Sequence, residues 1–210
     1  MRLLAKGRAA DVYDLGDGTV LRRYREGVDT RHEAAIMQHV ARAGFPVPAV
    51  HRAEGTDVVM DRVDGPTMLE DLSRRPWLVL AHADRLARLM LRLHAIPVLG
   101  GSVLHGDLHP GNVVLAATGP VVIDWTNARI GPAPMDVAMS WLLLATSVPD
   151  GGSWQRALAA TGQGIFTRRF LRHFDAAAVR GVLPEAARLR VEDRNVTRVE
   201  AARIKRLAGI

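Results

Sequence analysis

Apolar and polar residues alternate over short runs in the first third of the chain and recur at helical spacing beyond it. Leu3–Ala5, Val12–Leu15 and Thr19–Tyr24 read as three strands, with Asp17-Gly18 a hairpin turn between the last two. Asp29 or Thr30 can cap a helix running to about Ala43, with Glu33 in its first turns; Gly44 ends it and "FPVP" follows. Val47–His51 and Val58–Val63 predict two further strands, and "VDGPT" (63–67) is a loop of strong breakers where we place a lobe boundary. Leu86, Leu89, Leu93 and Ile96 recur at spacings of three and four, so residues 76–96 carry one apolar helical stripe. Val113–Ala116 and Val121–Asp124 predict short strands flanking the turn "ATGP". Residues 135–148 predict a mostly apolar, buried helix. After the break "VPDGGS" the chain reads as helix, with Gly162, Gly164, Gly181 and Pro184 as interruptions. The pattern is α+β: a small β-rich lobe with one helix over 1–63, then a larger helical lobe with a short hairpin over 64–210.

Composition narrows this picture. A chain of 210 residues, 48% hydrophobic and 24% charged, is a globular domain or two small lobes sharing a cleft, not a disordered segment. The absence of cysteine excludes disulfides and thiolate metal sites. The opening residues lack the apolar region of a signal peptide. The most apolar run, Met135–Val148, carries Asp136 and is too short to span a bilayer. We therefore expect a cytoplasmic protein without a membrane partner. The net charge of +6 is uneven: residues 150–210 hold 12 Lys/Arg against 6 Asp/Glu. No aromatic residue interleaves with these arginines beyond 175, so the stacking platform of a single-strand nucleic-acid binder is missing.

The chemistry is concentrated in "VLHGDLHPGNVVL", residues 103–115. His105-Gly106-Asp107-Leu108-His109-Pro110-Gly111-Asn112 fits the kinase catalytic-loop pattern H-x-D-L-x-x-x-N. A carboxylate at Asp107 can take the proton of a hydroxyl that attacks a phosphoryl group. Charge on the phosphates calls for a divalent cation, and Mg2+ prefers oxygen ligands. Asn112 offers an amide oxygen, and Asp124, ending the apolar run Val121-Val122-Ile123, offers a carboxylate. Between Asp107 and Asn112, Pro110 turns the chain by its fixed φ and Gly111 by tolerating an unusual one. His105 reads as a structural hydrogen-bonding group, and His109 as either a phosphate contact or a filler of the loop.

"HGDLHPGNVVL", "VVIDWTNARIG" and "DVAMSWLLL" together resemble the aminoglycoside phosphotransferase family, which shares the protein-kinase-like fold with choline and homoserine kinases. The resemblance covers nearly the whole chain and is most specific over 103–141. It implies a two-lobed, ATP-dependent (or GTP-dependent), Mg2+-requiring kinase of a small hydroxylated molecule. By position it makes Asp107 the catalytic Asp, Asn112 and Asp124 the metal ligands, and Asp136 a brace for the catalytic loop. The D-F-G-like segment is here Asp124-Trp125-Thr126, without the glycine. The kinase glycine loop aligns with residues 5–12, where only Gly7 survives. The strand lysine aligns with Arg22, which strand alternation places on the same face as Val20 and opposite Arg23. Glu33 is the helix partner implied for that cation, so Gly7, Arg22 and Glu33 form the expected nucleotide-binding set.

Two other readings compete: a catalytically inactive nucleotide-binding or scaffold relative, and a kinase of a macromolecule. Asp107, Asn112 and Asp124 are all present, which counts against the first. Only 11 residues separate Asp124 from Asp136, too few for a peptide-binding activation segment, which counts against the second. Aminoglycosides are polycations and call for an acidic pocket, whereas the C-terminal third is net basic. We therefore expect a small-molecule hydroxyl acceptor that is not a cationic antibiotic.

Overall fold

The computed structural model describes residues 1–7, 9–25, 30–146, 153–193 and 196–210, with the backbone alone over 153–160. Arg8, the alternative cap Asp29, most of the predicted break at 148–153 and Asp150 lie outside the described residues.

The first lobe is a five-stranded antiparallel sheet with one helix. Strands β1 (Arg2–Lys6), β2 (Ala10–Asp14), β3 (Thr19–Tyr24), β4 (Val50–Glu54) and β5 (Asp57–Asp61) lie in the order β1-β2-β3-β5-β4. The β2–β3 hairpin closes on Gly16 and Gly18, both at positive φ, while the Asp17 carboxylate accepts the Thr19 amide at 3.0 Å. Helix α1 (Thr30–Arg42) covers the sheet, burying Ile36, Met37 and Val40 with Val20, Tyr24, Val58 and Met60. The fourth strand starts at Val50, not Val47, because prolines 46 and 48 occupy the segment before it. Proline donates no ladder hydrogen bond. The segment serves as a strap instead: Pro46 O accepts the Val122 amide, at 2.9 Å, from the second lobe.

The second lobe is helical. Helix α2 (Met68–Arg74) opens with a complete capping box between Thr67 and Glu70. A short 3-10 turn (Pro76–Leu78) leads into α3 (Val79–His94), whose stripe of Leu86, Leu89, Met90 and Leu93 is buried. Strand β6 (Ser102–Leu104) pairs antiparallel with β9 (Arg129–Gly131), and β7 (Val113–Ala116) with β8 (Gly119–Val122). The β8 strand begins two residues earlier than the pattern predicts, since Ala116 pairs with Gly119 around a tight turn at Ala117-Thr118. Helices α4 (Ala133–Thr146), α5 (Ser153–Leu171), α6 (Ala176–Val191) and α7 (Arg198–Ala208) complete the lobe, with α4 packed on α6 and α3 on α5. Gly162, Gly164, Gly181 and Pro184 do not break α5 and α6. In α6, burial of Val179, Leu183, Ala186 and Ala187 overrides the local cost of Gly181 and Pro184. Among the described residues no helix is long and apolar enough to cross a membrane.

Candidate active site

The loop after β6 is held from below by α4. Asp136, fully buried, accepts the His105 amide at 3.0 Å and the Gly106 amide at 2.8 Å, and pairs with His94 Nε2 at 2.9 Å. Burial opposes ionisation of Asp136, but His94, His105 and the Gly106 amide outweigh it and hold its carboxyl below the ordinary range. Gly106 sits at φ +78°, and a Cβ there would lie 2.6 Å from Asn127 O. Only glycine allows the chain to turn at this point. His105 is buried; its Nε2 meets Ile123 O at 3.0 Å and its Nδ1 accepts the Asp107 amide at 3.3 Å. Burial favours its neutral form, as a structural role requires. Leu108 is buried, and its carbonyl accepts Ser140 Oγ at 2.7 Å.

The turn from Asp107 to Asn112 differs from expectation in one respect. Gly111 is not at positive φ: it lies in a 3-10 turn, Pro110–Asn112, whose first N–H groups His109 caps by accepting the Gly111 amide at Nδ1, 3.0 Å. A Cβ on Gly111 would lie 2.7 Å from the His109 ring, so glycine is needed for room and not for conformation. Burial holds the His109 pKa down to about 4, so the ring is neutral at physiological pH. Asn112 turns its amide nitrogen back on the loop, donating to Asp107 O at 2.9 Å and, at 3.4 Å, to Asp107 Oδ2. Its amide oxygen has no partner among the described residues.

Asp124 lies beyond the end of β8, not within a strand. The Ile123 amide leaves the ladder to reach Asn112 O at 3.0 Å, and Asp124 takes a φ of +64°, the single positive φ among the described non-glycine residues. The turn is anchored by Trp125, fully buried, whose indole donates to Val122 O at 3.0 Å and whose ring meets Phe45 edge-on, 5.8 Å between centroids. Against this turn stands Arg22. Its Nη1 is 3.0 Å from Glu33 Oε1; its Nη2 is 2.5 Å from Asp124 Oδ1 and 2.7 Å from Thr126 Oγ1. Tyr24 OH closes the network, 2.5 Å from Glu33 Oε2 and 2.7 Å from Thr126 Oγ1. Arg23, on the other face of β3, pairs instead with Asp57 at 2.6 Å. Burial raises the Glu33 carboxyl above its ordinary range despite Arg22. At Asp124 burial pushes the same way, but Arg22 and Thr126 prevail and the carboxyl stays ionised.

These groups share one cleft of about 910 Å³, lined by Gly7, Val20, Arg22, Met60, Asp107, Asn112, Ile123 and Asp124, among others. Glu33 stands one layer back and reaches the cleft through Arg22. Gly7 donates to Ala10 O at 2.9 Å, and a Cβ on it would come within 2.7 Å of that oxygen, so the β1–β2 turn is tight against the cleft. Four residues that the sequence pattern does not single out belong here. Tyr24 and Thr126 complete the Arg22 network, and His94 completes the brace. Arg190 of α6 places Nη1 3.8 Å from Asp107 Oδ1 while bonded to Asp193 Oδ2 at 2.9 Å. For Arg190 the sequence holds only an i,i+3 Arg–Asp pair, which any solvated helix can show. Asp107 itself is raised to about 6 by burial, with Asp124 adding to the effect and Arg190 opposing it.

The model of the phosphotransferase enzyme family matches this chain over residues 1–102 and 86–174, more than half its length. The chain is a member of that family. A choline/ethanolamine kinase family protein from Mesorhizobium loti superposes with a TM-score of 0.66 at 15% identity, over 100% of this chain and 88% of that one. The aminoglycoside phosphotransferase APH(2")-IIa, solved as a streptomycin–ATP ternary complex, superposes at 0.64 and 13% identity, over 98% and 90%. The chain thus has the two-lobed kinase-like fold. In sequence it is 27% identical over 139 residues to the "Probable serine/threonine-protein kinase BUD32 homolog" of Archaeoglobus fulgidus, a span that covers 64% of each chain. The chain therefore matches just under two thirds of that relative's length.

Proposed function

We propose that the protein transfers the γ-phosphoryl group of ATP to a hydroxyl of a small molecule, in a cleft between the lobe of residues 1–63 and that of residues 64–210. The observation that carries the reading is the convergence of Asp107, Asn112 and Asp124 with Gly7 and Arg22 on one cleft. Those residues suit Mg2+ and a nucleotide. The Asn112 amide oxygen and Asp124 Oδ2 have no partners among the described residues, and the tight Gly7 turn lets backbone approach phosphate. Among the described residues no group of three or more His, Asp or Glu side chains is placed to hold a metal ion by itself. Two protein ligands plus phosphates is the way Mg2+ is ordinarily held. When bound, Mg2+–ATP supplies the phosphoryl donor and the charge neutralisation that the transfer needs.

The chain's own residues do the rest. Val20, Met60 and Ile123 offer apolar surface for a base, Arg22 supplies the cation that faces phosphate, and Glu33 with Tyr24 fixes that guanidinium. Asp107, ionised above a pH of about 6, orients the acceptor hydroxyl and takes its proton. A cytoplasmic setting, where ATP and Mg2+ are abundant, fits the reading. The BUD32-like relative favours a second reading, a macromolecular acceptor. Against it, β9 and the start of α4 occupy the stretch between Asp124 and Asp136, which leaves no segment to seat a peptide. The test is a calorimetric titration with ATP with and without Mg2+, followed by a screen of hydroxylated metabolites for phosphoryl acceptance. Mg2+-dependent binding and transfer to a small acceptor are expected; the absence of nucleotide binding at millimolar concentration would overturn the reading.

A further inference from the structure

Arg190 lines the cleft next to Asp107, and the phosphotransfer chemistry leaves it without a task. It comes from α6, and its side chain is 17% exposed. Nη1 is bonded to Asp193 and stands 3.8 Å from Asp107 Oδ1, too far for a hydrogen bond. Asp193 thus pins one nitrogen of the fork and orients the others, which have no partner among the described residues. The acidic groups at this end of the cleft are already engaged. Asp193 is held by Arg190, and Glu200 Oε2 closes the N-terminal cap of α7 by accepting the Thr197 amide at 2.9 Å. Val196 and Ile204 line the same end without charge. An acceptor whose hydroxyl lies against Asp107 therefore presents its neighbouring atoms to a guanidinium.

We propose that Arg190 is a specificity-determining residue that binds a carboxylate or phosphate carried by the acceptor, a few bonds from the hydroxyl that is phosphorylated. The substrate class is thus a hydroxy acid or a phosphorylated polyol. A planar guanidinium takes either oxyanion in two parallel hydrogen bonds. The inference rests on the phosphotransfer reading, since Asp107 marks where the hydroxyl sits only if that reading holds.

The test is steady-state ADP release by the full chain with Mg2+–ATP and matched acceptors: glycerol against D-glycerate, D-ribose against D-ribose 5-phosphate, and choline as a cation. At least one anionic member should exceed its neutral partner by about 10-fold in kcat/KM. Arg190→Met also removes a charge that holds the Asp107 pKa down, so it is assayed at about pH 9, where that carboxyl stays ionised. KM for the anion should rise by ~10–100-fold relative to the neutral partner's KM, and any fall in kcat should be common to both acceptors. Arg190→Lys should restore part of the loss, and circular dichroism should show both variants folded. An equal rise in KM for neutral and anionic acceptors would show that Arg190 does not read the acceptor's charge and would overturn the inference. So would a wild-type protein that binds Mg2+–ATP but gains nothing from the anionic group, or that prefers choline; the phosphotransfer reading would survive both results. A protein that binds no Mg2+–nucleotide overturns that reading, and this inference falls with it.

Discussion

Asp107 is held in an environment that conflicts with its charge and Arg22 in one that favours its charge, and both have measurable consequences. Burial lifts the Asp107 pKa to about 6. The folded state therefore holds this proton more tightly than the unfolded chain, and stability falls as pH rises from the ordinary carboxylate range through about 6. Asp107→Asn removes the conflict. It should be more thermostable than the wild type at pH 7 and no more stable at pH 3.5, by calorimetric melting at the two pH values. The same substitution should cut turnover by ~10²–10⁴-fold, the range for a positioned general base, with nucleotide affinity nearly intact. In the wild type, kcat/KM should rise with pH through about 6 as the base ionises. Arg22 satisfies Glu33, Asp124 and Thr126 at once, which a planar fork can do and a single ammonium cannot. Arg22→Ala would leave Glu33 buried without its cation, so Arg22→Lys is the cleaner variant. It should stay folded and raise the KM for ATP by ~3–30-fold, with a smaller effect on kcat. An unchanged KM would move phosphate binding to another cation, such as Lys6, which also lines the cleft.

At the scale of elements, the helical lobe is tied together by charged clips as well as by its apolar core. Asp84 on α3 accepts Arg169 Nε at 2.7 Å and Arg169 Nη2 at 2.9 Å from α5, and pairs with His173 Nε2 at 2.7 Å just beyond α5. These bonds hold the Asp84 carboxyl well below its ordinary range. A depressed folded pKa contributes stability that is present above the unfolded value and is lost as pH falls through the folded one. Asp84→Asn should therefore lower the melting temperature at pH 7, and the gap from wild type should close as the pH is taken towards 2. A gap that stays constant with pH would show that the clip acts through packing and not through charge. The brace under the catalytic loop is a second element-scale device. Asp136 at the head of α4 receives two successive amides of the loop, so the position of Asp107 is set by a helix and not by the loop alone.

At the scale of the molecule, the two lobes meet through the Arg22–Asp124 pair, the Tyr24–Thr126 contact and the strap at Pro46. A ligand that binds the folded cleft and not the unfolded chain stabilises by mass action, about 2.7 kcal/mol at a hundredfold excess over Kd. For a protein of this size that corresponds to a rise of roughly 5–10 °C in Tm. Differential scanning fluorimetry should show this rise with Mg2+–ATP and a smaller one with ATP plus a chelator. Equal shifts would remove Asn112 and Asp124 from metal binding. Sequence periodicity alone determined that a strand-rich lobe precedes a helical one, because alternation and helical spacing are local and survive without neighbours. The spacing of Asp107, Asn112 and Asp124 was legible for the same reason: they lie within 18 consecutive residues around one hairpin. Arg22 and Glu33 were legible as a pair through the resemblance to the kinase motif, with which strand parity and the helix position agree, and the structure brings them to 3.0 Å. Tertiary structure alone decided the rest. The β6–β9 pair joins strands of three residues, too short to show a period. Gly106, not Gly111, takes the unusual backbone, and Asn127, twenty-one positions on, leaves no room there for a side chain. Tyr24 meets Thr126 across 102 positions and Arg190 reaches Asp107 across 83; no local pattern encodes such pairs, since only the packing of α4 on α6 and of one lobe on the other brings their side chains together.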